Sequence, residues 1–231
     1  FVPTPDETTL IFIHTETLED IAKKYGAEAY ELEKMTSIIA GKTPTQILVL
    51  NGTNSDSGRP VQTCDYIFKK PYQNLNELID NKEIIYEVLA DTRTVKSEDE
   101  ISLIKFVVDK ACEAHIECMK NIKEGMLERD VENIFWLNVT DSAFARNHPY
   151  QHICGCGINS ATLHYIENDQ KLTNGQLILN DMGTKLCGYV SDITCTVPVS
   201  GKFTDKQKNI YNIVLQANLA VQQNAKPGVS W

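Results

Sequence analysis

The chain has little of what marks membrane-spanning, secreted or nucleic-acid-binding proteins. No apolar run approaches the roughly 20 residues that a spanning helix needs. The opening residues, FVPTPDETT, lack the basic and apolar regions of a secretion signal. Basic residues are also scarce: 22 Lys and Arg stand against 31 Asp and Glu, a formal charge of -9. With no basic stripe, neither a nucleic-acid partner nor an anionic membrane surface is expected. The seven cysteines form no CxxC pair and no zinc-ribbon spacing. Cys112 and Cys118 fall in a helical pattern and Cys154 and Cys156 alternate along a strand. Reduced thiols and a cytoplasmic location are the simplest account. Gly155 and Gly157 belong to no GxGxxG context, which removes a nucleotide site.

What is present centres on Gln176 to Lys202. Two runs, Leu177 to Met182 and Tyr189 to Val197, flank a connection from Gly183 to Gly188 and read as an antiparallel hairpin. Each strand carries one aspartate, Asp181 and Asp192, which lie opposite each other if the hairpin is symmetric about that connection. Asp181 shares its face with Leu177 and Leu179, a face expected to be buried. Two ionised carboxylates there would repel each other and lose hydration. Either one keeps a proton, or a cation lies between them, or the pair bridges two metal ions of the kind used in hydrolysis. The alternative is that one aspartate faces water.

Upstream, Leu10 to Ile13 reads as a strand, and TETLEDIAKKYG as a helix capped by Thr17 and stopped by Gly26. A second short helix ends near Gly41. Gln46 to Leu50 reads as a strand running into a tight Asn51-Gly52 turn, followed by a polar loop. Leu75 to Val88 reads as a helix and then a strand through Ile84, Ile85 and Tyr86. This order suggests a small α/β domain over 1–92, with the boundary near residues 91 to 96. Ser97 and Glu100 then form a capping box ahead of a helix with Ile101, Ile104, Val108, Ala111 and Ile116 inward. A second helix, about Arg129 to Phe144, turns Val131, Ile134, Phe135 and Val139 inward. Tyr150 to Tyr165 reads as a strand, a bulge or turn, and a return strand. After the hairpin, Thr204 and Gln207 cap a helix from about Asp205 to Ala225 with Ile210, Val214 and Leu215 inward.

The segments LNDMG and GYVSDITCTVPVSGKFT closely resemble prolidase, the Xaa-Pro dipeptidase of the pita-bread metallopeptidases. The likeness continues through YQHICGCGINSATLHY, GKFTDKQKNIY and KPGVSW, and reaches back to NGTNSDSG and FVP. It implies an α/β N-terminal domain of the creatinase/prolidase type, then an α+β pita-bread catalytic domain over 93–231, truncated before its second part. It implies Asp181 and Asp192 as ligands of two manganese ions, whose shared hydroxide hydrolyses Xaa-Pro dipeptides. His164, in LHY, is implied to face the substrate and steady the tetrahedral intermediate. From the residue alone, a lone strand histidine reads as a core residue. Tyr150 corresponds to a tyrosine near the metals, and its phenol could bond a ligand carboxylate; a core role fits nearly as well. Thr194, two residues beyond Asp192, could orient a carboxylate or simply be a strand threonine. His148 and His152 match no functional position and read as structural. The family also implies a homodimer. The remaining ligands and an arginine for the proline carboxylate belong to a C-terminal part not contained here, so this chain alone is expected to hydrolyse little. A hydrolase of longer Xaa-Pro peptides, like aminopeptidase P, and a binding protein on the same scaffold are the alternatives.

Overall fold

Four helix starts among the described residues are set by side-chain caps, at Asp6, Thr17, Ser97 and Thr204. In the computed structural model, which describes residues 1–50, 52–54, 57–60, 79–80, 84–142 and 145–230, three capping boxes are fully formed. They pair Thr17 with Asp20, Ser97 with Glu100 and Thr204 with Gln207. Each joins a side-chain oxygen to an N3 amide and returns a bond to the cap amide. The chain divides into two units, Phe1–Val95 and Lys96–Trp231.

In the first unit, α1 (Glu7–Phe12) replaces the strand expected at Leu10 to Ile13. Asp6 decides this locally: its Oδ1 accepts from the Thr9 amide at 2.6 Å, so the following residues start as a helix. Helix α2 (Leu18–Tyr25) ends at Gly26, whose φ of 61 closes it in the left-handed region. Leu18 and Ile21 are half-buried. A 3-10 turn, Leu32–Lys34, leads into α3 (Met35–Gly41). The short strands β1 (Ile47–Leu48) and β2 (Ile79–Asp80) pair in parallel. The strand expected through Ile84, Ile85 and Tyr86 is instead the start of α4 (Ile84–Thr94). Ile84, Ile85, Val88 and Leu89 recur at helical spacing, and a short apolar run alone cannot separate the two states. Asn51 of the expected turn, and the expected helix from Leu75, lie outside the described residues.

The second unit packs two helices on one face of a three-stranded antiparallel sheet. Helices α5 (Glu98–Asn121) and α6 (Glu128–Ser142) supply Ala111, Ala114, Cys118, Val131, Phe135 and Val139 to its core. Val131, Phe135 and Val139 are buried as the periodicity predicts, with Ile134 partly so. On α5 the buried stripe is Val107, Ala111, Ala114, His115 and Cys118. Ile116, expected inward, is 48% exposed. The true stripe runs through alanine and histidine, which a count of large apolar residues passes over.

The sheet order is β3-β4-β7, with β3 at Ile153–Cys156, β4 at Leu177–Met182 and β7 at Ile193–Pro198. Between β4 and β7 the chain makes a small outboard ladder, β5 (Lys185–Leu186) against β6 (Tyr189–Val190). On β4 the buried residues are Ile178, Asn180 and Met182, while Leu177, Leu179 and Asp181 are only half-buried. The expected burial is therefore on the opposite face, because Ile178 and Met182 are the side chains that join the helical core. No return strand follows β3. Gly157, at φ 58, turns the chain into a 3-10 helix, Gly157–Ala161, closed by Ser160 Oγ on the Gly157 carbonyl at 2.7 Å. Helix α7 (Asp205–Asn224) buries none of its residues. Ile210 and Val214 are 64% and 63% exposed and Leu215 40%, so the expected inward face has no cover among the described residues. No helix of the described residues is long and apolar enough to cross a membrane.

Candidate active site

The hairpin register places the two aspartates. β4 and β7 pair Asp181 with Thr194 and Met182 with Ile193. Asp181 and Asp192 are thus diagonal neighbours on one face rather than directly opposed. The centre of the hairpin falls between Cys187 and Gly188, at φ 50 and 87, one position later than direct opposition of the two aspartates requires. Two successive residues of positive φ make the tight turn that suits a twisted hairpin. Diagonal neighbours remain within reach of a shared partner.

That partner is Tyr150. Its phenol oxygen stands 2.9 Å from Asp181 Oδ1 and 3.1 Å from Asp192 Oδ1. Burial raises the phenol's pKa well above its ordinary value, and the hydrogen bond to Asp181 and both negative charges add to the effect. It therefore keeps its hydrogen and acts as a donor. A phenol has one hydrogen, and two carboxylates face it. Among the described residues, no other donor bonds either carboxylate and no Lys or Arg forms an ion pair with them. Two hard oxygen ligands on one side, sharing a single proton donor, fit a divalent cation.

The turn below the pair is held by close backbone packing. A Cβ on Gly183 would run into the Ser191 carbonyl oxygen and the Tyr150 ring, so only glycine fits there. The Thr184 amide bonds Ser191 Oγ, and the Ser191 amide bonds the Thr184 carbonyl, both at 2.9 Å. Two buried histidines brace the same strand from the core side. His115 Nε2 lies 3.2 Å from the Met182 carbonyl and Nδ1 3.3 Å from Cys195 Sγ. His152 Nε2 lies 2.8 Å from the Gly183 carbonyl. Burial lowers both pKa values, that of His152 to about 4.

The other expected residues are less closely tied to the pair. His164 is exposed in the turn after the 3-10 helix and makes no hydrogen bond among the described residues. Thr194 sits opposite Asp181 in register, with no hydroxyl bond to it. The segment that carries His164 is nevertheless fixed, by a residue that periodicity missed. Glu128, fully buried at the start of α6, accepts from the Cys156 amide at 2.7 Å and Asn159 Nδ2 at 3.0 Å. Its second oxygen accepts from the Tyr165 hydroxyl at 2.7 Å and the Gln170 amide at 3.0 Å. In sequence, Glu128 reads only as an acid near a helix start; its four donors come from residues 28 to 42 positions away.

Residues 102–231 match the model of metallopeptidase family M24. The chain belongs to that family. Among its relatives, the Xaa-Pro dipeptidase of Homo sapiens is 32% identical over 235 residues, covering 100% of this chain and 46% of the relative. The mitochondrial intermediate cleaving peptidase 55 of Arabidopsis thaliana is 30% identical over 207 residues, covering 88% of this chain and 40% of the relative. In structure, the aminopeptidase PepP of Pseudomonas aeruginosa superposes with a TM-score of 0.81 at 26% identity, covering 97% of this chain and 51% of that one. The chain spans about half the length of these relatives.

Proposed function

We propose that the whole protein hydrolyses Xaa-Pro dipeptides, with Asp181 and Asp192 contributing to a two-manganese centre. The observation that carries this reading is that both carboxylates share the single neutral phenol of Tyr150, which balances neither negative charge and leaves both to a cation. Their oxygen donors suit manganese, for which cobalt or zinc could substitute. Bound ions of this kind supply a nucleophile at neutral pH and a Lewis acid for the carbonyl. Tyr150 holds the carboxylates in place. His164 donates to the substrate carbonyl oxygen as that atom becomes negative. A prolyl bond has no N–H to read, so recognition depends on ring shape and the free termini. The same reading makes the protein a cytoplasmic homodimer.

The test is hydrolysis of Gly-Pro by the whole protein with Mn2+, beside a tripeptide with proline second. Preferential cleavage of Gly-Pro is expected, with Asp192→Asn abolishing it and His164→Ala lowering kcat about 10²–10³-fold. The likeness to aminopeptidase PepP favours a second reading, hydrolysis of longer peptides, which preferential cleavage of the tripeptide would support. Metal uptake with neither peptide cleaved would leave a binding protein on this scaffold.

A further inference from the structure

Apart from the aspartate pair, a second set of ligand-type side chains converges beside Tyr150. Glu132, His148 and His152 each offer one ligand atom, all within 4.8 Å of one another. With Tyr150, Gln151 and Ile166 they line an open cavity of about 390 Å³.

The decisive atom is His152 Nδ1. The ring is 1% exposed, and Nε2 lies 2.8 Å from a carbonyl oxygen that can only accept, so the hydrogen resides on Nε2. Nδ1 then presents a bare lone pair, buried and without a hydrogen-bond partner. It faces another electron-rich atom, Glu132 Oε1, at 3.9 Å. A proton on Nδ1 would relieve this, but burial keeps the ring neutral at ordinary pH. A cation relieves it equally well.

The surroundings hold the set as supporting groups hold metal ligands. An imidazole that donates its other N–H to a backbone carbonyl is fixed in tautomer and direction. Glu132 Oε2 accepts from Asn168 Nδ2 at 3.0 Å, which leaves Oε1 to face the cavity. Asn168 is itself buried and tied to the His152 carbonyl at 2.9 Å. The His148 ring is stacked on Trp136, with centroids 3.8 Å apart, and its Nδ1 lies 3.3 Å from His152 Nε2. Zinc bonds of about 2.0–2.2 Å require a closer cluster than this. Glu132 and His148 are the more exposed members, so binding requires these two to shift toward the buried ring.

We infer that Glu132, His148 and His152 form a separate binding site for one zinc-type divalent ion, with a coordination position open to the cavity beside Tyr150. Two imidazoles and one carboxylate select zinc, copper or nickel over the manganese that an all-oxygen set takes. This inference stands whether or not the aspartate pair proves catalytic.

Zinc titration of the metal-stripped whole protein, followed by calorimetry and by metal analysis after gel filtration, tests it. Asp181→Asn/Asp192→Asn should still bind one Zn2+ per chain, and adding His148→Ala should remove that ion. Glu132→Gln should weaken the same ion at least ten-fold, with circular dichroism unchanged in each variant. In the parent, Zn2+ should shift the imidazole ¹⁵N resonance of His152 Nδ1 and leave Nε2 protonated. Zinc uptake abolished by the aspartate changes alone, or unaltered by His148→Ala and Glu132→Gln together, would overturn the site.

Discussion

Tyr150 has one hydrogen to give and two acceptors in reach. Its substitution by Phe removes the donor while keeping the ring that packs beside Gly183. The expected result for Tyr150→Phe is manganese affinity lower by about 10–100-fold with an unchanged thermal transition in metal-free buffer. Mn2+ titration of both proteins checks it. An unaltered affinity would mean that the phenol serves packing alone. The sequence made the aspartates and this tyrosine visible because they fall in compact motifs. The family likeness suggests a bond from this phenol to one carboxylate, but not that both share it, since Tyr150 is 31 and 42 positions from its two partners.

At the scale of elements, two neutral imidazoles, His115 and His152, hold the carbonyls of Met182 and Gly183 at the end of β4. An unfolded histidine takes a proton near pH 6.5, whereas folded His152 resists protonation down to about 4. Between those values the unfolded chain binds more protons, so this contribution is complete above about pH 6.5 and is lost as pH falls toward 4. His115 is shifted in the same direction by the same burial. Urea unfolding of the chelator-treated protein should therefore show a lower midpoint at pH 5 than at pH 7.5. A flat profile would mean that these rings protonate freely when folded. The elements themselves were legible in uneven degree. Ser97 with Glu100 and Thr204 with Gln207 announced helix starts because a capping box is complete within four residues. Ile84 to Tyr86 was misread because a three-residue apolar run has no period. The inward face assigned to α7 rested on Ile210, Val214 and Leu215, and helical spacing does not tell whether a partner is there to cover them.

For the whole molecule, the proposed metal role of Asp181 and Asp192 links metal binding to folding, because the two carboxylates converge only when β4 and β7 are paired. Mn2+ at about 100 times its dissociation constant should add about 2.7 kcal/mol to unfolding stability. The Asp181→Asn/Asp192→Asn variant should show no such gain in a paired calorimetric scan, and an equal gain would place the bound ion elsewhere. The clamp of Gly183 and Thr184 on Ser191 also divides the hairpin into a stem that carries the acids and a loop that does not. Changes in length are therefore tolerable on one side of the clamp only. A short insertion between Cys187 and Gly188, at the solvent-facing apex, should leave the acids where they are. That apex is the natural splice point for a fluorescent or affinity tag reporting on the neighbouring centre.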